Sequence, residues 1–376
     1  MDRDADFSQA VEAEAYPTGV APLRGLQFFA IAWVVLNQFR DHLGLEAGAR
    51  SGLVAKGYLG AALFFVVSGF LVCRRYEALR RIGQFRYGAF LWRRVTFTYP
   101  LHLAVLAAMA ALLTLGVILG ERVHHASFDP RDLPANLLLV QAWGAVPTDR
   151  WNFPSWLISA EWFAYLVFPL TAWTALKGLR WTPLAVAAPL ALFAGLFVLA
   201  SKMGVLFTDM TAQIGALQTI PAFLLGAALW RVSTESTMPR LGGAVLALAA
   251  LAWIVGSASV RLSDLVIWPA FAPLVFGLDQ MAKRGSRFQN GRPLNYLGHL
   301  STAMLLIYLP VDIAYFRASQ LLLGQPRGLE AWVLWGGVFP TILLAATIAH
   351  HFVQRPIWRW LLRHDPFSTG DAAISE

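Results

Sequence analysis

Apolar runs of about twenty residues recur along this chain, and that recurrence restricts its fold more than any single motif does. A run of that length crosses the ~30 Å hydrocarbon core of a bilayer as an α-helix. In lipid each backbone N–H and C=O must be satisfied within the spanning segment itself, which selects helices. Candidate spans lie near residues 22–42, 55–73, 97–120, 153–175, 182–201, 213–232, 240–260, 262–282, 296–318 and 329–353. Hydrophobic residues make up 57% of the sequence and charged residues 14%, far from the usual mix of a soluble domain. The expected fold is all-α, a polytopic membrane protein of about ten transmembrane helices in one bundle. The bundle is assigned to residues 22–363, with a disordered acidic tail at 1–21 and a C-terminal tail at 364–376.

The first span is not read as a cleavable signal, because acidic residues (Asp2, Asp4, Asp6, Glu12, Glu14) precede it and no basic n-region does. Lys and Arg in the loops set the orientation. Arg74 to Arg94, Lys283 to Arg292, and Arg355 to Arg363 fall on one side if the spans alternate, together with Arg24, Lys177, Arg180, Arg231 and Arg240. Counting Arg3 as well, that side holds 20 of the 30 basic residues and the other side 10. Both termini are expected in the cytoplasm of a bacterial inner membrane. The net charge of +8 then answers anionic lipid headgroups rather than nucleic acid. The single cysteine, Cys73, excludes an internal disulfide and reads as a small buried residue. The loop at 121–152 holds an apolar patch, LLLVQAW at 137–143, too short to span and expected at the interface or re-entrant.

In the first span, LRGLQFFAIAWVVLNQF (23–39), Gln27 and Gln38 are eleven residues apart. Eleven residues is about three helical turns, so both lie on one face roughly 16 Å apart. Polar groups on one face of a lipid-embedded helix are expected to point into the bundle. Further on, Glu161 sits within a span beside Ser155, Trp156 and Ser159. A carboxylate there is costly and marks a site or a pairing partner. Arg93 and Arg94 suit either lipid headgroups or an anionic ligand. Ser68 and Gly69 read as helix-packing residues. His102, His350 and His351 read as polar groups near helix ends, and the fifteen tryptophans mainly as an interfacial belt. No His or Cys spacing suggests a metal, and no bound cofactor is expected.

Six strings follow one another in a fixed order: GYLGAALFFVVSGFLVCRRY (57–76), FLWRRVTFTYPLHL (90–103), WNFPSWLISAEWFAYLVFP (151–169), IPAFLLGAALWR (220–231), PLNYLGHLSTAMLLIYLP (293–310) and HHFVQRPIWRWL (350–361). Together they resemble the integral-membrane acyltransferase-3 family, over residues 22 to 363. That family moves acetyl or other acyl groups onto hydroxyls of envelope sugars or macrolide-like acceptors. The resemblance implies acyl-CoA as donor, a carbohydrate or lipid-linked acceptor, and a lipid bilayer as environment. It places the site at positions 27, 38 and 161, with Arg93, Arg94, Ser155, Trp156, Ser159 and Tyr308 as substrate-binding candidates.

The family carries arginine and histidine where this chain has Gln27 and Gln38. A glutamine amide supplies neither the fixed charge of arginine nor the basicity of imidazole. Other ionisable positions of the family are Ala62, Phe97, Gln218, Ala222, Tyr308 and Gln354 here. Two expectations stay open: an acyltransferase whose base lies elsewhere, or a catalytically inactive relative that keeps the fold. A third, a transporter, would use Asp279 and Asp312 within their spans.

Overall fold

A computed structural model describes residues 19–39, 42, 51–118, 128–144, 146, 150–208, 213–283, 291–324 and 329–367. The leader from Asp2 to Glu14, Arg3, Arg284, Arg287 and the last nine residues of the C-terminal tail lie outside the described residues. The chain is an all-α polytopic membrane protein, and helix underlies each apolar run read from the sequence. These helices are α1 (Ala21–Gln38), α2 (Leu59–Arg81), α3 (Tyr87–Ile118), α4 (Trp156–Leu166), α5 (Thr182–Lys202), α6 (Ala216–Glu235), α7 (Arg240–Ser259), α8 (Phe271–Lys283), α9 (Arg292–Leu323), α10 (Leu329–Ala349) and α11 (Arg355–Arg363).

Among the described residues, seven helices are long and apolar enough to cross a membrane. They are α2, α3, α5, α7, α8 with the turns that lead into it, α9, and α10 run on into α11. The remaining apolar runs, α1, α4 and α6, lie largely inside the bundle. Lipid does not select their outer surface, so they carry more polar residues and breaks. Burial divides the membrane-length helices too: 78% of the apolar stretch of α2 is buried, against 22% for α5 and 17% for α10–α11, so α2 belongs with the inner helices. An inner group of helices is thus screened from lipid by an outer one.

Small residues let the inner helices touch. A Cβ on Gly226 of α6 would collide with the Val66 carbonyl of α2, and one on Gly69 of α2 would collide with the Phe223 carbonyl of α6. Gly60 of α2 abuts the Ala30 carbonyl of α1 in the same way. Gly298 of α9 lies against the Arg24 backbone of α1. Gly69 is therefore the packing residue its sequence context suggests.

Several boundaries differ from the apolar runs, each for a physical reason. α3 starts at Tyr87, ten residues before the run at 97–120, because the polar stretch of Arg93 and Arg94 continues the same helix. α4 stops at Leu166, and Pro169 opens a new segment, Phe168–Trp173, that ends in a π-helical turn at Thr174–Gly178. α7 and the turns leading into α8 are joined by a tight connection in which Arg261 adopts φ 58°. α1 ends at Gln38, short of residue 42. Its end is tied down from outside: Asn37 Nδ2 donates to the Val54 and Ala55 carbonyls at 2.9 and 3.0 Å, and Trp335 Nε1 donates to the Phe39 carbonyl at 3.1 Å.

The apolar patch at 137–143 neither spans nor floats. It folds onto α4, with Leu139 and Ala142 buried and Leu139 at φ 57°.

Candidate functional site

Gln27, on the buried face of α1, donates from Nε2 to Ser68 Oγ on α2 at 3.0 Å. Ser68 also reaches the Glu161 carboxylate of α4. Glu161 Oε1 accepts from Tyr165 Oη, one turn further along α4, at 2.6 Å. The Arg94 guanidinium of α3 lies over the Tyr165 ring at 5.1 Å and over the Phe90 ring at 5.5 Å, and its charge faces Glu161. Four helices thus deliver an amide, two hydroxyls, a carboxylate and a guanidinium to one place in the bundle. Glu161 and Gln27 are 7% and 8% exposed. A carboxylate so buried is tolerable only when hydrogen-bonded and faced by charge, and both conditions hold.

Ser68 is the correction here. Its small size suits packing, yet its hydroxyl is the link between Gln27 and Glu161. Tyr165 and Ser68 could have been found from the sequence by asking which residues lie one turn from Glu161 and which small hydroxyls face Gln27.

The two adjacent arginines separate. Arg94 is half-buried in this cluster, whereas Arg93 is exposed. Ser155 and Ser159 face the 137–143 patch. Ser155 Oγ accepts from Gln141 Nε2 at 2.8 Å and donates to the Asn152 carbonyl at 2.7 Å. Ser159 Oγ accepts from the Ala142 N–H and donates to the Leu139 carbonyl, at 3.1 and 2.7 Å. These hydroxyls fasten the 137–143 patch to α4. Trp156 packs edge-on against Phe65 at 6.4 Å.

Gln38 stands at the far end of α1, three turns from Gln27, and the structure does not bring it to Glu161. Its surroundings belong to α9: next to it, Phe39 packs edge-on against Tyr308 at 6.0 Å. One turn beyond Tyr308, Asp312 Oδ1 lies 3.1 Å from His42 Nε2. Nothing in the sequence marks His42, because it closes the first apolar run and belongs to no motif.

Of the other polar positions, Asp279 is fully buried in α8, accepts from Ser233 Oγ and pairs with Lys283 at 3.4 Å. His102 Nε2 sits 2.8 Å from the Asn136 carbonyl. His350 and Gln354 share a π-helical turn, with His350 Nδ1 2.8 Å from Gln354 Oε1. Gln354 Nε2 donates to the Phe97 carbonyl at 2.9 Å, so two positions that are ionisable in the resembled family meet here as amide and carbonyl. Cys73 is buried and unpaired with any other thiol. No cluster of three His, Cys, Asp or Glu among the described residues is arranged to hold a metal ion.

The fold and the site define an integral membrane protein of many helices whose interior holds a carboxylate, hydroxyls and an arginine. A family model described as an acyltransferase domain matches residues 21–351, and the chain belongs to that family, acyltransferase family 3. It is also similar to Acyltransferase MdmB of Streptomyces mycarofaciens, 33% identical over 162 residues, which are 39% of this chain and 38% of that protein. The chain thus spans less than two fifths of the length of the curated relative it matches. No solved structure matches it.

Proposed function

We propose that this chain is an active membrane O-acyltransferase. It takes an acyl group, acetyl in the simplest case, from acyl-CoA and places it on a hydroxyl of an envelope carbohydrate or a similar acceptor. Family membership and the likeness to an acyltransferase support the reaction class. One observation carries the donor: Arg94 lies over two aromatic faces with its charge facing Glu161, at the arginine-rich end of the bundle. A preorganised guanidinium is suited to the phosphates of coenzyme A. By the distribution of Lys and Arg, that end faces the cytoplasm of the inner membrane, where acyl-CoA is made. Glu161 offsets the charge of Arg94, and Tyr165 and Ser68 hold Glu161.

Acyl-CoA turnover by the purified protein in nanodiscs tests this reading. Arg94→Gln should raise the KM for acyl-CoA about tenfold or more, the worth of one charge-assisted hydrogen bond. Arg93→Gln, at an exposed position, should leave it within about twofold. Equal effects of the two substitutions would sink the assignment of the donor to Arg94.

A second reading, an inactive relative, has its own observation: Gln27 is spent on Ser68, and Gln38 is neither basic nor near Glu161. It predicts no turnover by the unmodified chain and a gain on the double reversion Gln27→Arg with Gln38→His.

A further inference from the structure

An O-acyl transfer needs a group to take the acceptor's proton, and Gln38 cannot. We infer that His42 is that base and that Asp312 positions it, a reading that rests on the acyltransferase function proposed above.

Three features of the geometry point to this pair. First, His42 lies four residues past Gln38, and the end of α1 that leads to it is pinned by Asn37 and by Trp335 on the Phe39 carbonyl. Second, its imidazole is fixed in two directions. The ring stacks on Phe316 of α9 with centroids 3.7 Å apart and planes 9° apart, and Nε2 lies 3.1 Å from Asp312 Oδ1. Third, the histidine side chain is 35% exposed and the aspartate 17%, so the base is reachable while its orienting partner is sheltered.

A carboxylate beside one ring nitrogen fixes the tautomer that leaves the other nitrogen with its lone pair, and it stabilises the imidazolium formed on proton uptake. This is the base–orienter half of an acyl-transfer site. The N···O approach is close without being aligned, and such contacts tighten when substrate binds.

The step balances without a co-reactant. The acceptor oxygen forms a bond to the thioester carbonyl carbon as its proton passes to the free nitrogen of His42. The tetrahedral adduct then breaks its C–S bond, and the imidazolium returns the proton to the departing coenzyme A thiolate. Asp312 stays ionised throughout.

Four variants measured with the unmodified protein in nanodiscs decide the matter, with acetyl-CoA as donor and a panel of sugar and macrolide hydroxyl acceptors. His42→Gln should lower kcat about 100-fold or more, the usual worth of a general base, with the KM for acetyl-CoA within about twofold. Asp312→Asn should lower kcat on the order of tenfold, and Asp312→Glu should recover most of that loss. Arg94→Gln should instead act on the KM for acetyl-CoA. Thermal unfolding of each variant separates chemistry from folding: a purely structural His42–Asp312 tie would lower the midpoint and leave kcat unchanged. Turnover by the unmodified chain with an unaffected kcat in His42→Gln overturns the base assignment alone. No turnover by the unmodified chain with any acceptor overturns the function and this assignment together.

Discussion

Ser68 shows how much one hydroxyl settles inside a bilayer. It accepts from Gln27 and reaches Glu161, so its removal leaves an amide and a carboxylate short of a partner. An unsatisfied buried polar group costs about 1–3 kcal/mol. Ser68→Ala should therefore lower the thermal midpoint in detergent by that worth of stability. Gln27→Leu removes the other partner and fills the space with an apolar group, so in that background Ser68→Ala should cost less, by on the order of 1 kcal/mol. A double-mutant cycle that shows strict additivity would mean the two side chains do not couple. At this scale the sequence was partly legible. Gln27 faces the bundle as its helical position predicts, and Glu161 is paired as a buried carboxylate must be. Ser68 and His42 were not legible, because a serine in a helix looks like any small residue. A histidine at the last position of an apolar run looks like the start of a loop, and only contacts with α9 reveal otherwise.

Elements were easier to read than their ends, and the reason is lipid. Outer helices such as α5 and α7 face the bilayer, so hydrophobicity alone marks them. The inner helices α1, α4 and α6 face protein, and their pattern records packing instead. The crossing of α2 and α6 is the tightest case, since Gly69 and Gly226 each meet a facing backbone carbonyl. Gly226→Leu should then drive the helices apart and destabilise by about 1–3 kcal/mol or more, the usual range for overpacking. Gly195→Leu on α5 makes a matched control, because a Cβ there meets nothing within 4 Å; its melt should shift little. Equal losses at both positions would show that glycine serves flexibility at Gly226 and not close approach. The break in α4 at Pro169 and the π-helical turns at 174–178 and 350–354 escaped the sequence for a different reason. Such irregularities are held by neighbouring helices, as with Gln354 on the Phe97 carbonyl, and carry no local periodicity of their own.

For the molecule as a whole, charge is the property that the sequence and the bundle state in the same terms. Arg74 at the end of α2, Arg94 early in α3, Arg231 late in α6 and Arg355 at the start of α11 fall at one end once the helices alternate in direction. They also bind one another's surroundings: Arg231 donates to the Leu179 and Arg180 carbonyls at 2.6 and 2.7 Å, and Arg86 donates to the Phe367 carbonyl at 2.6 Å. At the opposite end, among the described residues, Lys56 pairs with Asp264 and Arg150 with Asp132, each at 2.6 Å. The donor-binding role given to Arg94 requires the arginine-rich end to face the acyl-CoA pool, so orientation and function stand together. Thiol labelling reads this directly. Cys73 is buried, so the unmodified protein should stay silent to a membrane-impermeant maleimide. Lys202→Cys, at the exposed end of α5, should label in intact cells. His364→Cys, just past α11, should label only after permeabilisation. Neither substitution removes a basic residue from the arginine-rich end, so the charge bias that orients the chain is preserved. The reverse pattern would place Arg94 on the side away from cytoplasmic acyl-CoA and would sink the donor assignment, whatever the identity of the base.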